Sequence, residues 1–403
     1  MTPARVAVIT DRFPPNWGGG VASSHYQIYR LLKKRGFTVR AFSCFDEGLG
    51  SSNGVDVVRR AAPHWAVRAV RRAARAAFAV VEPGRAAYQS ADVAIRVWGA
   101  TALNRALREF DPDIAIFPDH GAPALLLRTG ARCRRILVLH HDPMRFVDLP
   151  LVEPHSHRDA RLAARAGQRV LARIDKVVAP SAYMDAAFAA TYRFAGPREV
   201  APLVVDEDYL APISPDDPRS RLGLGADAAL VYVPGGGNKF KGASLVPRIV
   251  AELGRRAKAS IGVYVSGALP PEVRRQLASA PGSVRHYLPG LVDGPTNLAV
   301  VKACSFGVYP TLAENYSMAL LEAALLGVPM VTFDVGGNAE IVRDGINGFL
   351  APAHDVAAIA DRAAPLLDAA AARALAATTR ADAARRLGEA ARAPRLVDCL
   401  TRF

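Results

Sequence analysis

Short apolar runs alternate with helical patterns along almost the whole chain, and that alternation restricts the fold more than any other feature. The first run is VAVIT, Val6 to Thr10. An uninterrupted apolar stretch of this length suits a strand buried on both faces, as in a parallel sheet covered by helices. A loop rich in Pro and Gly follows, FPPNWGGG from Phe13 to Gly20. Ser23 to Arg35 then reads as a helix with apolar Tyr26, Ile28, Leu31 and Leu32. Ser23 or Ser24 is placed to cap its start. Lys33, Lys34 and Arg35 suit its last turn, and Gly36 its stop. Phe37 to Phe42 is the next strand. Strand, glycine loop, helix, strand is the opening of a Rossmann-like unit.

Units of this kind recur. Asp113–Phe117, Ile136–Leu139 and Lys176–Ala179 read as further strands, and Val200–Val205 leads into a linker, Asp206–Pro218, rich in Asp and Pro. A second series runs through Leu230–Val233, Ile261–Val265, Phe306–Tyr309 and Met330–Phe333, and Ala-rich helices close the chain. The fold class expected is α/β, with two doubly wound domains facing a central cleft. The domains are residues 1–200 and 201–380, with a C-terminal helix at 381–403 packing back on the first.

Charge separates the two series. Residues 1–200 carry 30 Lys and Arg against 17 Asp and Glu, whereas residues 201–403 carry 21 against 20. A basic half attracts phosphorylated substrates, anionic lipid or nucleic acid. No nucleic-acid motif accompanies the charge, so nucleic acid is not expected as a partner. A hydrophobic fraction of 51% excludes a disordered chain. Cys44, Cys133, Cys304 and Cys399 form no CxxC pair, which argues against a zinc ribbon and suits a reducing cytoplasm. The N-terminus has no signal-peptide pattern, and no apolar run reaches about 18 residues. A cytoplasmic protein is expected, able to lie peripherally on the inner membrane face.

The segment richest in chemistry is YPTLAENYSMALLEAALLGVPMVTFDVGGNAEIVRDGINGFL, Tyr309 to Leu350. A helix should start near Asn315–Ser317, capped by Asn or Ser, and stop at Gly327 before Pro329. Its first backbone N–H groups, around Tyr316 to Met318, make an anion site. Glu322, two turns beyond Glu314, can reach neutral hydroxyls such as a ribose diol. Two glutamates on a helix are by themselves usually a solvated surface. The GGNAEIV and DGINGFL turns downstream shift the balance toward a site.

This segment resembles the retaining enzymes of glycosyltransferase family 4, which have the two-domain GT-B fold. ENYSMALLEA, GVPMVTFDVGG and EIVRDGINGFL look like that family's blocks, in order. FPPNWGGG, KVVAPSAYM at 176–184 and PLVVDEDYL at 202–210 extend the resemblance more loosely. It implies that Glu314 meets a donor sugar and Glu322 the ribose, while the N–H groups of Asn315, Tyr316, Ser317 and Met318 hold sugar hydroxyls or phosphate.

Three further loops join this reading. In PGGGNKFKG, Pro234 to Gly242, small residues let a diphosphate approach the backbone, and Lys241 offers it a point charge. A glycine turn with solvated lysines is the competing reading. The family usually has an Arg just before this Lys; here none lies between Arg221 and Arg248, and Lys239 is the candidate substitute. Gly18, Gly19 and Gly20 would lie beside the donor phosphate and the acceptor, although a tight turn explains them equally well. In LHHDP, His140 and His141 sit at a strand end, where open α/β sheets bind ligands. The resemblance implies a His here near the reacting carbon. Side chains alternate along a strand, so one should point inward, His140 ahead of His141. Asp119 and His120 also follow a strand and could line the acceptor side, although a surface turn is the favoured reading.

Asp111–Asp113 and Asp206–Asp208 read as solvated turns, not metal motifs, so no metal is expected. Arg68, Arg71, Arg72 and Arg75 share one helical face, opposite Val70, Ala74, Ala77 and Val81. Such a helix either faces an anionic membrane surface or packs on the domain by its apolar side. The function expected is a retaining glycosyltransferase. It would move a sugar from a nucleoside-diphosphate sugar, its donor substrate and not a cofactor, to a glycan or lipid-linked acceptor in cell-envelope polysaccharide synthesis. The alternatives are another GT-B enzyme, such as a sugar-nucleotide epimerase or phosphorylase, and a non-catalytic glycan-binding protein.

Overall fold

The computed structural model describes residues 3–15, 19–45, 52–53 and 56–403. They form two compact units: residues 1–206 together with 392–403, and residues 207–391. The sequence reading divides the chain at 200 and starts the returning segment at 381. The compact units instead divide after Asp206 and after Ala391.

The first unit holds eight strands: β1 (Arg5–Thr10), β2 (Thr38–Ser43), β3 (Ser52–Asn53), β4 (Val57–Arg59), β5 (Ile114–Pro118), β6 (Arg134–Val138), β7 (Lys176–Ala179) and β8 (Arg198–Val200). Their order is β3-β4-β2-β1-β5-β6-β7-β8, parallel except for the β3–β4 pair. Central β1 aligns Val8 with Ala41 and with Ile116, and Val6 to Ile9 are fully buried. The helix after β1 begins at Gly20, not at Ser23. Gly19 is its N-cap and Ser24 Oγ donates to the Val21 carbonyl, so neither serine caps it. Gly36 does end it, at φ +85°.

Asp206 is no solvated turn. It is 2% exposed, and its carboxylate takes Arg30 at 2.6 Å and Lys34 at 3.2 Å, both from that first helix. The C-terminal residues cover the β7–β8 edge. Lys176 Nζ donates to the Arg402 carbonyl at 2.6 Å, Arg395 Nε to the Val200 carbonyl at 2.8 Å, and Cys399 Sγ to Glu199 Oε2 at 2.9 Å. All four cysteines are buried, and none forms a disulfide.

The second unit holds β9 (Leu230–Val233), β10 (Ile261–Ser266), β11 (Val284–Gly290), β12 (Phe306–Tyr309), β13 (Met330–Phe333) and β14 (Gly348–Ala351). They make an all-parallel sheet of order β11-β10-β9-β12-β13-β14. The register Phe306–Val231 brings the C-terminal ends of β9 and β12 side by side, and with them the loops that follow. Among the described residues, no helix is long and apolar enough to cross a membrane.

Candidate active site

Two loops of the second unit meet at the ends of β9 and β12. The first, Pro234–Gly242, closes on a short helical turn at Lys239–Lys241, with Asn238 accepting from the Phe240 N–H. It is fastened to the second: the Phe240 carbonyl accepts from the Leu312 N–H at 2.9 Å and from Thr311 Oγ1 at 3.3 Å. Gly242 is left-handed at φ +77°, and a Cβ there would lie 2.0 Å from the Pro310 carbonyl oxygen. Glycine is what allows so close a contact. On the far side Gly336, at φ +58°, presses against the Glu314 carbonyl, where a Cβ would lie 1.7 Å away.

This packing sets Lys241 against Glu314. Lys241 Nζ is 2.5 Å from Glu314 Oε2, and the Tyr309 hydroxyl donates to the same oxygen at 2.8 Å. Glu314 Oε1 accepts from the Asn315 N–H at 3.1 Å. Burial works against the Lys241 ammonium, yet the adjacent carboxylate holds its pKa above the ordinary lysine range. Burial, then the same carboxylate, pushes Tyr309 up to about 12, so it is a protonated donor at neutral pH.

The helix beyond Glu314 runs from Met318 to Leu325. Of the two expected caps, Ser317 is the one used: it accepts from the Leu320 N–H at 3.2 Å. The first helical N–H groups therefore belong to Met318 and Ala319, slightly later than the sequence implies. The buried Asn315 and Tyr316 lead up to them. Glu322 is half-buried on the second turn. Its charge reaches Tyr232 of β9, whose hydroxyl burial and this charge both shift upward. Lys239 is exposed, its ammonium 5.3 Å from the Phe240 ring centroid.

The first unit gathers a histidine cluster at the ends of β1, β5 and β6. Asp119 clasps the backbone after β6, accepting from the His140 N–H at 2.8 Å and the His141 N–H at 3.1 Å. The two rings go to different partners. His140 Nε2 lies 3.1 Å from His25 Nε2, and His141 Nε2 lies 3.3 Å from Gln89 Oε1. His120 Nδ1 is 3.1 Å from Asp11 Oδ2, and Arg96 Nε is 3.1 Å from Asp11 Oδ1. Gln89, Asp119, His120, His141 and Tyr192 help line a cavity of about 30 Å³, room for about one water.

Burial pushes His140 and His141 well below the usual histidine range, and His25 to about 4. It pushes Asp119 up to about 7. Asp11 goes the other way: Arg96 and His120 outweigh burial and hold it below the carboxylate range. A neutral imidazole offers one N–H donor and one acceptor, a pairing that suits hydroxyl groups. The surface-turn reading of Asp119 and His120 is overturned, and Asp11, His25, Arg96 and Tyr309 escaped the sequence reading. Gly18 lies outside the described residues. Gly19 and Gly20 are exposed, and a Cβ on either would meet nothing within 4 Å.

The arginine face lies on the helix His64–Val81. Ala66 and Val67 are buried, and Val70 and Ala74 half-buried, whereas Ala77 and Val81 are exposed. Arg68, Arg71, Arg72 and Arg75 are all exposed, and Arg71 forms an ion pair with Asp92 at 3.6 Å. Trp65, at 64% exposure, meets Trp98, at 46%, edge to face at 6.4 Å. Among the described residues, no group of three or more His, Cys, Asp or Glu is placed to hold a metal ion.

Two family models match the chain. Residues 18–209 match Glycosyltransferase Family 4, and residues 230–369 match Glycosyl transferases group 1. The chain belongs to glycosyltransferase family 4. Among curated proteins it is similar to a D-inositol 3-phosphate glycosyltransferase of Mycobacterium marinum, 33% identical over 38% of this chain and 33% of the relative. D-inositol 3-phosphate glycosyltransferase 1 of Catenulispora acidiphila is 30% identical over 52% of this chain and 53% of the relative. The alignments thus span from a third to about half of these relatives. Among solved structures, sucrose-phosphate synthase from Thermosynechococcus elongatus matches with a TM-score of 0.74 at 18% identity, over 98% of this chain and 97% of that one. Anabaena HepE, solved with UDP and glucose, matches at 0.68 and 15% identity, over 99% and 100%. These likenesses show the fold, which is GT-B.

Proposed function

We propose that the chain transfers a sugar, with retention of configuration, from a nucleoside-diphosphate sugar to a hydroxyl of a glycan, lipid-linked or other anionic acceptor. The observation that carries this is the Lys241–Glu314 pair at the start of the helix at Met318. A departing diphosphate needs positive charge and preorganised N–H groups, and Lys241 with the Met318 and Ala319 N–H groups can supply both. Glu314 would then face the sugar and Glu322 the ribose. The donor's own phosphate can take the acceptor proton, so no protein base is required. Structures of the same fold solved with UDP, UDP-glucose or ADP support a nucleotide donor.

The curated relatives' names make inositol 3-phosphate one acceptor to try first. Neutral histidines in the first unit suit its hydroxyls, and the net basic charge of that half suits its phosphate. The exposed Arg68, Arg72, Arg75 and Trp65 favour docking at an anionic membrane face. The deciding experiment screens UDP, GDP and ADP and their glucose conjugates by thermal shift. The donor that stabilises is then incubated with inositol 3-phosphate and with lipid-linked glycan primers, and the anomer of the product is read by NMR. No stabilisation by any donor rejects the reading; a changed donor sugar without acceptor points to an epimerase.

A further inference from the structure

Tyr309 ends β12 and is 2% exposed. A buried tyrosine hydroxyl normally finds one partner, and this one is aimed at a carboxylate oxygen that already holds a lysine. Lys241 Nζ also stands 5.5 Å from the Tyr309 ring centroid, so ring and hydroxyl both face the ion pair. The tyrosine is held from behind: its carbonyl accepts from Thr332 Oγ1 at 2.8 Å, and Thr332 Oγ1 in turn accepts from Asn338 Nδ2 at 3.1 Å.

The two donors on Glu314 Oε2 differ in mobility. Tyr309 is fixed at a strand end. Lys241 has a flexible four-carbon stem and a side chain that is 30% exposed. When Lys241 turns to a diphosphate, Glu314 loses a donor while its own side chain is only 10% exposed. A carboxylate that gives up its countercharge in such a place costs free energy and tends to protonate unless its remaining donors hold it. We propose that Tyr309 is a positioning residue, the stationary donor that keeps Glu314 ionised and aimed while Lys241 engages the diphosphate of the donor. This inference rests on the donor site proposed above.

The test is a double-mutant cycle on nucleotide affinity. The variants are Tyr309→Phe, Glu314→Gln and the pair, titrated calorimetrically with UDP, GDP and ADP. Tyr309→Phe should weaken the nucleotide bound by the parent about tenfold, because releasing Lys241 now leaves the carboxylate short of a donor. Glu314→Gln should tighten it, because Lys241 is no longer held by a charge. In the double variant the tyrosine effect should vanish. A merely structural tyrosine would lower affinity equally in both backgrounds, and that result overturns the inference, as does a Tyr309→Phe affinity within twofold of the parent. If Tyr309→Phe does not fold, Thr332→Val removes the hydrogen bond that anchors the Tyr309 carbonyl, lets the residue shift away from Glu314 and should weaken binding in the same direction. No change there overturns the inference too. A parent that binds none of the three nucleotides overturns the donor site itself, and this inference with it.

Discussion

Lys241→Ala removes the countercharge of Glu314, whose carboxylate keeps the Tyr309 hydroxyl and the Asn315 N–H among its donors. Breaking a fully buried ion pair costs about 3–5 kcal/mol. Here the lysine side chain is 30% exposed and the glutamate 10%, so water relieves part of the penalty and about 2 kcal/mol is expected. For a unit of this size that lowers the melting temperature by about 4–8 °C. Adding Glu314→Gln removes the stranded charge and should restore most of the loss. Nucleotide affinity behaves differently. A lost charged hydrogen bond to diphosphate is worth about 1.5–3 kcal/mol, a drop of about ten- to a hundredfold, and Glu314→Gln cannot supply a new cation. Differential scanning calorimetry on both variants, with titration of the preferred nucleoside diphosphate, measures the two effects separately. Parent-like melting with parent-like affinity removes Lys241 from the site. A melting loss that Glu314→Gln fails to restore refutes the electrostatic argument.

Glu322→Ala should raise the donor dissociation constant more than it slows single-turnover transfer, and Glu314→Ala should slow transfer more than it weakens binding; the reversed pattern would mean the two glutamates are misassigned. Stability should fall with pH from about 6.5 to about 4, because over that window the unfolded chain binds a proton that buried His25 refuses until about 4. His25 contributes a slope of about 1.4 kcal/mol per pH unit, to which His140 and His141 add in the same direction and Asp119, held up at about 7, is opposed. Denaturant unfolding at pH 6.5 and 4.5 reads this slope, which His25→Gln should flatten, and an equally steep fall in that variant would clear His25. Replacing Arg68, Arg72 and Arg75 with Gln should cut binding to anionic vesicles about a hundredfold, at about 1 kcal/mol per charge. Arg71→Gln alone should matter less, since Asp92 already holds Arg71; equal flotation of parent and triple variant at low salt rejects the docking face.

Strands buried on both faces were legible because they are mostly apolar runs. Lys176–Ala179, Leu230–Val233, Phe306–Tyr309 and Met330–Phe333 read to the residue. The strands at the sheet edges, and Val57–Arg59 beside one of them, were not legible. Val284–Gly290 is half-exposed along most of its length and carries Arg, His and Pro, so no run announces it. Gly348–Ala351 and Val57–Arg59 are too short to show a period. Asp206 failed for a different reason. An Asp-Glu-Asp string beside prolines looks like solvent, and only the return of the first helix with Arg30 and Lys34 makes its first carboxylate a buried one.

The site divides along the same line between local and distant. Glu314, Ser317, the helix at Met318 and the stop at Gly327 lie within a few residues of one another, so spacing and capping rules reach them. The contact that gives Glu314 its chemistry spans 73 positions. It exists because Phe306 registers with Val231 and because Gly242 lets one loop lie on the other. Residue type pointed to Lys241 as a cation for an anion; the sheet register makes it first of all the partner of a carboxylate. Tyr309 sits only five residues before Glu314, yet an irregular loop separates them and no helical or strand period relates the two. His25 and His140 are 115 positions apart. Their pairing depends on the first helix lying over the end of β6, and their neutrality depends on burial. A pattern of types can therefore mark where a donor would bind, while the protonation states that make binding productive come from contacts that only the folded sheets bring together.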